Sequence, residues 1–238
     1  MQMSRLLATA AAVTCALALA APASAAGNLI INGDFEAAPA PANGTFNQLF
    51  GGSTALPGWT VTGADVLVID KNYVEGGTLV FNANSPNVAV DLTGAGNTSP
   101  LDGIFQNVTT TLAGQLYSLS FYVGNAAPIG GNGGVYVLPS TVNLSINGGA
   151  AQSFTNSSTV GTSPGGNGIN FKLFTTSFTA TGASTLIAFS NGTPVGDNYA
   201  GLDDVSLTAI PEPATWAMMI LGFFGLGATL RHRRHVAT

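Results

Sequence analysis

The sequence predicts an all-β fold, a jelly-roll β-sandwich, and three observations carry that expectation. Short β-branched and aromatic runs recur between turn dipeptides such as Asn32-Gly33, Asn43-Gly44, Asn147-Gly148 and Asn191-Gly192, the spacing of an antiparallel sandwich. Within Leu116–Val123, Leu116, Ser118, Ser120 and Tyr122 take one face, and Tyr117, Leu119, Phe121 and Val123 take the other. That alternation is the mark of a half-buried strand. Between Gly27 and Ile210 no helical apolar period is found.

Taken in order, the chain divides into residues 1–26, 27–210 and 211–238. The first segment reads as a cleaved signal peptide, with Arg5, an Ala/Leu-rich core from Leu6 to Ala21, and the small-residue run Ala23-Ser24-Ala25-Ala26. Cleavage after Ala25 or after Ala26 fits equally. The only cysteine, Cys15, lies inside this segment, and Ala12-Val13-Thr14 before it makes a poor lipobox. The exported domain therefore folds without disulfides and depends on its core.

Strands are expected at Asn28–Asn32, Trp59–Thr62, Asp65–Asp70, Thr78–Phe81, Val88–Leu92, Gly103–Val108, Leu116–Val123, Val142–Ile146, Leu173–Thr179, Thr185–Ser190 and Leu202–Thr208. Loops are expected at Pro39–Gly52, Gly130–Gly134 and Asn156–Gly168, from their Gly, Pro, Asn and Ser content. Residues 27–210 are enough for one domain with a sizeable core. They hold eight Asp and two Glu against two Lys, with no Arg or His, for a net charge of −8. That balance excludes nucleic acid, whose phosphates need a basic face, and disfavours anionic lipid. Neutral polysaccharide and divalent cations match it better.

The third segment opens with Pro211-Glu212-Pro213, runs seventeen residues without a charge from Ala214 to Leu230, and closes on Arg231-His232-Arg233-Arg234. As a helix those seventeen residues would rise about 25 Å, just under the ~30 Å of a hydrocarbon core. One short transmembrane helix is therefore expected. Arg231, Arg233 and Arg234 form its cytoplasmic stop, leaving residues 27–213 outside.

Pro211-Glu212-Pro213, Trp216-Ala217-Met218-Met219, Gly222-Phe223 and the terminal arginines resemble the PEP-CTERM sorting signal of Gram-negative bacteria. The resemblance implies export through the Sec translocon and a transient stay in the inner membrane through the C-terminal helix. It further implies processing at the Pro-Glu-Pro motif by an exosortase-type membrane enzyme, then release to the cell surface or extracellular matrix, usually in species that make exopolysaccharide.

A second resemblance covers 28–208. Asn28-Leu29-Ile30-Ile31-Asn32-Gly33-Asp34-Phe35-Glu36, Pro57-Gly58-Trp59-Thr60-Val61, Gly103-Ile104-Phe105-Gln106-Asn107-Val108 and Leu202-Asp203-Asp204-Val205-Ser206-Leu207 are similar to blocks of the galactose-binding-like jelly rolls. These include carbohydrate-binding modules and choice-of-anchor domains. The resemblance implies that Trp59 packs in the core.

Three kinds of site can be weighed. The pleat of Leu202–Leu207 sets Asp203, Val205 and Leu207 against Leu202, Asp204 and Ser206. Either way one aspartate points inward, and a buried carboxylate must be neutralised or paired. A hard cation held by oxygens would do that; so would backbone N–H groups at a strand end. The jelly-roll resemblance implies a structural calcium held by Glu36 and Asp203, with carbonyls around Asn28–Asp34. A sugar platform would draw on Tyr73, Tyr122, Tyr136 and Tyr199, with Asn125 near Tyr122, although core or rim packing is the alternative for each. Catalysis by triads, thiols or imidazole-bound zinc is excluded by composition. A carboxylate pair could come from Asp65, Asp70, Glu75, Asp91, Asp102 or Asp197, and no spacing selects one.

The expected role is thus a non-enzymatic surface or matrix protein that binds polysaccharide. The alternatives are a structural biofilm or adhesion protein without a defined ligand, and a glycoside-acting enzyme.

Overall fold

The structure is a computed structural model that describes residues 27–127, 136, 139–161, 168–196, 199–211 and 219–226. The signal peptide, Glu212, Pro213, the arginines 231, 233 and 234, Asp197 and the 130–134 loop lie outside the described residues. Among the described residues the strands are β1 (Phe46–Phe50), β2 (Thr60–Thr62), β3 (Asp65–Asp70), β4 (Val74–Glu75), β5 (Leu79–Val80), β6 (Val88–Asp91), β7 (Gly103–Val108), β8 (Leu116–Ala127), β9 (Ser140–Ile146), β10 (Gln152–Asn156), β11 (Gly168–Thr179), β12 (Thr185–Asn191) and β13 (Gly201–Ala209).

Residues 27–210 form one compact unit of two sheets. The larger runs β1-β3-β6-β13-β8-β11-β5-β4 and the smaller β10-β9-β12-β7-β2. From β6 onward the chain crosses between sheets at nearly every connection, the winding of a jelly roll. Among the described residues the pairs are antiparallel except a single parallel bridge from Gly168 to Val80.

The alternation read in β8 holds. Tyr117, Leu119, Phe121 and Val123 are buried in the core between the sheets. They meet Ile104, Leu144, Ile187 and Phe189 of the smaller sheet. Trp59 lies with them, tilted against Phe35 and Phe189 at 5.7 and 6.2 Å between ring centres.

Several expectations need correction. Asn28–Asn32 is no strand: the N–H of Ile30 goes to Asn28 Oδ1 and that of Ile31 to Gln106 Oε1, so side chains take the donors a ladder would use. A strand, β1, occupies part of the expected loop at Pro39–Gly52. As an edge strand exposing Phe46 and Phe50, it lacks the burial contrast that marks inner strands. A further edge strand, β10, is exposed along most of its length and was likewise not expected. In β13 a bulge between Asp203 and Ser206, with Asp204 at φ 48°, resets the pleat. Leu202, Val205 and Leu207 all face the core, and Asp203 points to the other side.

Of the tail, residues 219–226 are helical, with Leu221, Phe223 and Phe224 exposed. Eight residues rise only about 12 Å, and no described helix is long and apolar enough to cross a membrane. The single transmembrane helix expected over 214–230 is therefore not seen as such; its remaining residues lie outside those described.

Candidate functional site

Glu36 and Asp203, distant in sequence, grip the same loop. Glu36 Oε1 accepts from the N–H of Asn87 (2.6 Å), the N–H of Val88 (3.1 Å) and the hydroxyl of Ser85 (3.0 Å). Its Oε2 accepts from Asn87 Nδ2 at 2.8 Å. Asp203 Oδ2 accepts from the N–H groups of Asn84 and Ser85 at 2.9 and 2.8 Å, and its Oδ1 from that of Asp204 at 2.8 Å.

Burial pushes the Glu36 carboxyl up, but its hydrogen bonds outweigh that and hold it below the ordinary value. Asp203 goes the other way. Burial lifts it to about 7, with the charge of Asp204 adding to the rise and the loop N–H groups opposing it. The residues fit calcium poorly: all four carboxylate oxygens already accept donors, and among the described residues no three Asp, Glu, His or Cys side chains converge. The backbone-N–H alternative describes Asp203 as it stands.

The richer chemistry lies on the outer face of the larger sheet. Because β3 is buried on both sides, Val66 and Val68 enter the sandwich while Leu67 and Ile69 turn outward into a second apolar cluster with Leu79, Phe81, Ile169 and Tyr199. Register lines up Leu67, Asp91, Gly201, Gly124 and Phe171 across five strands. The two glycines let rings approach the sheet closely. A Cβ at 201 would come within 2.5 Å of the Tyr199 hydroxyl, and one at 124 within 2.7 Å of the Phe171 ring.

Over this floor opens a cavity of about 140 Å³ walled by Phe46, Tyr73, Phe81 and Tyr136, with Glu75 and Asp91 also lining it. The rings meet in sequence: Phe46 to Tyr73 at 5.3 Å, Tyr73 to Phe81 at 5.3 Å, Phe81 to Tyr136 at 5.7 Å. Tyr73 donates its hydroxyl to Glu75 Oε2. Burial, then the Glu75 acceptor, raises that phenol to about 12. Asp91 is 4% exposed. Its Oδ1 accepts from the N–H and hydroxyl of Thr93 and the N–H of Ala200 at 2.8–3.0 Å. Burial still lifts its pKa to about 6.

The sequence-predicted tyrosines thus part company. Tyr73 and Tyr136 wall the cavity, Tyr199 is buried in the cluster beneath it, and Tyr122 pairs in register with Asp203 elsewhere on the sheet. Asn125 is buried, joining Ser158 and Ser140 by hydrogen bonds at 2.8 Å. Among the described carboxylates only Glu75 and Asp91 line the cavity. Asp70 holds the turn N–H groups of Gly44 and Asn72, and Asp65 those of Ala95 and the Gln48 amide. Asp102 is fully buried, accepting from the N–H of Ala64, and burial raises it. Phe46 and Phe81 escaped the sequence reading of the site. Phe46-Asn47-Gln48-Leu49-Phe50 sets two polar and then two apolar residues side by side, so no period-2 signal marked the first.

A second, more open depression of about 420 Å³ lies beside the bulge, lined by Asn28, Asn32, Asp34 and Asp204 among others, with no ring.

A two-sheet β-sandwich with an aromatic cavity on its outer face is the class of protein that the fold defines. The chain belongs to the family described as protein of unknown function (DUF642), whose model matches residues 28–201. The PEP-CTERM protein-sorting motif matches residues 209–234. No curated protein matches the chain.

Among solved structures, the Stig cyclase Fisc from Fischerella sp. TAU, in complex with (3Z)-3-(1-methyl-2-pyrrolidinylidene)-3H-indole, is 19% identical. That match covers 79% of this chain and 99% of the cyclase at a TM-score of 0.54. An apo cyclase from Fischerella sp. is 16% identical over 80% and 98%, also at 0.54. The CBM22-1 xylan-binding domain of Paenibacillus barcinonensis Xyn10C is 15% identical over 74% and 99% at 0.39. At these identities the cyclase matches speak for the fold alone.

Proposed function

We propose that the protein is a non-enzymatic component of the cell surface or extracellular matrix of a Gram-negative bacterium that binds polysaccharide in the aromatic cavity. Export runs through the Sec translocon. The tail, with residues 214–230 as its membrane-spanning helix, is cut at Pro211-Glu212-Pro213 by an exosortase-type enzyme. The sorting motif at 209–234 supports the route. The binding reading rests on one observation: Tyr73 and Tyr136 stand beside two carboxylates in one concave site. Rings stack on sugar C–H faces while carboxylates accept from hydroxyls.

Retention on a panel of polysaccharides tests the reading. Tyr73→Ala is expected to weaken retention about tenfold or more, a loss of about 1.4 kcal/mol or more. A wild-type protein retained by no polysaccharide would end it. Mass spectrometry of the mature protein tests the route: a C-terminus near residue 213 is expected, and one still at Thr238 would contradict processing.

Calcium has no part in this reading. Melting in excess chelator is expected to leave the midpoint unchanged, and a clear fall would restore the cation at Glu36 and Asp203.

One observation favours a second reading, a glycoside-acting enzyme: Glu75 and Asp91 line the same cavity, as a carboxylate pair must. Release of reducing ends from a glycan panel, lost in Asp91→Asn, would establish it.

A further inference from the structure

We propose that the cavity takes a protonated amine carried on a ring-sized group, as on a terminal deacetylated amino sugar. The sugar part of this rests on the polysaccharide reading above; the amine part does not.

Charge carries the first step. Asp91 is buried, and among the described residues donors reach only its Oδ1, leaving Oδ2 without one in a residue that lines the cavity. Glu75 accepts the Tyr73 hydroxyl on Oε2, and among the described residues no donor reaches its Oε1. No base of the domain answers these two. Lys71 and Lys172 are the only basic residues between 27 and 210. Lys71 Nζ donates to Pro86 O and Asn87 Oδ1 at 2.7 and 3.1 Å, and Lys172 Nζ sits 5.0 Å from the centre of the Phe174 ring. A neutral sugar would hydrogen-bond to the carboxylates yet leave their charge uncompensated at a partly buried site, whereas an ammonium group neutralises it.

The rings carry the second step. Four aromatic side chains in successive contact wall the same space, and an ammonium group is drawn to aromatic faces as well as to carboxylates. Size carries the third. At about 140 Å³ the cavity is well below the ~300–1,000 Å³ of sites that enclose a drug-sized ligand. It holds one ring or one end group, with the rest of a chain outside.

Isothermal titration of the full chain in detergent at pH 7 tests the inference, using a glucosamine tetramer, its fully N-acetylated counterpart and cyclohexylamine. The glucosamine tetramer is expected to bind at least tenfold more tightly than the acetylated one. Asp91→Asn, which keeps the Oδ1 acceptor for Thr93 and Ala200, should erase that preference. Glu75→Gln, on the half-exposed β4, should reduce it without burdening the fold.

Equal binding of both tetramers would overturn the amine inference and leave the polysaccharide reading standing. Asp91-dependent binding of cyclohexylamine with no binding of either tetramer would overturn the polysaccharide reading and uphold the amine. Binding of none of the three would overturn the amine inference.

Discussion

Trp59→Ala is expected to destabilise the protein by about 3–5 kcal/mol, the range for emptying a buried aromatic site. The side chain is 1% exposed and lies between Phe35 and Phe189, so the neighbouring rings lose contacts on two sides. Its indole N–H donates to Asn32 O at 3.0 Å. Truncation would therefore also leave that carbonyl with only the Phe35 N–H, at 3.3 Å, and loosen the irregular segment where Asn32 and Phe35 hold positive φ. For a domain of this size the loss corresponds to a fall in melting temperature of roughly 10 °C. Thermal unfolding followed by near-UV circular dichroism checks it. A fall of under about 2 °C would mean that Trp59 is not the packed centre that the fold makes it.

Raising the pH from 4 to 8 is expected to destabilise the fold, the reverse of ordinary acid unfolding. Asp91 and Asp203 are both held above the usual carboxylate value by burial, to about 6 and about 7. The folded state thus binds protons more tightly than the unfolded chain. Their contribution is fully present below the unfolded value near 4 and is lost as pH rises through 6 and 7. For Asp91 alone the loss is on the order of 3 kcal/mol. Glu36 opposes this at the acid end: held below its ordinary value, it stabilises the fold above about pH 4.5 and ceases to as pH falls through its folded value. Stability should therefore peak near pH 4–5. Urea midpoints across this range in the wild type and in Asp91→Asn check the assignment. The variant should show a shallower decline, and identical slopes would remove Asp91 as its source.

Much of the sandwich was legible because inner strands carry their burial on their faces. Asp65–Asp70 and Gly103–Val108 are strands with the bounds that their composition predicts. The alternation in β8 separates core from surface as the pleat requires. Legibility failed where the pattern is broken or weak. The bulge at Asp203–Ser206 lets Leu202 and Val205 share the core, which a regular pleat forbids. The edge strands β1 and β10 expose one face fully and bury the other only in part, so neither carries the burial contrast of an inner strand.

The cavity was legible only in parts. Tyr73, Tyr136, Glu75 and Asp91 could each be named from the sequence, but nothing local joins them. They meet because β3 pairs with β6 and because the β4–β5 hairpin lies at one edge of the same sheet. Glu36 and Asp203 show the converse. The resemblance assigned them to one structural point, and they do share one loop, through its N–H groups and Ser85.

Hydrogen exchange of the full chain, with and without a saturating glucosamine tetramer, tests the central claim most directly, because it reports where a ligand sits independently of how tightly it binds. The account predicts slowed exchange at residues 73–81 and 91–96, around the rings and Asp91, with the smaller sheet unchanged. Slowing confined to the smaller sheet, or to the depression beside Asn28 and Asp204, would contradict it.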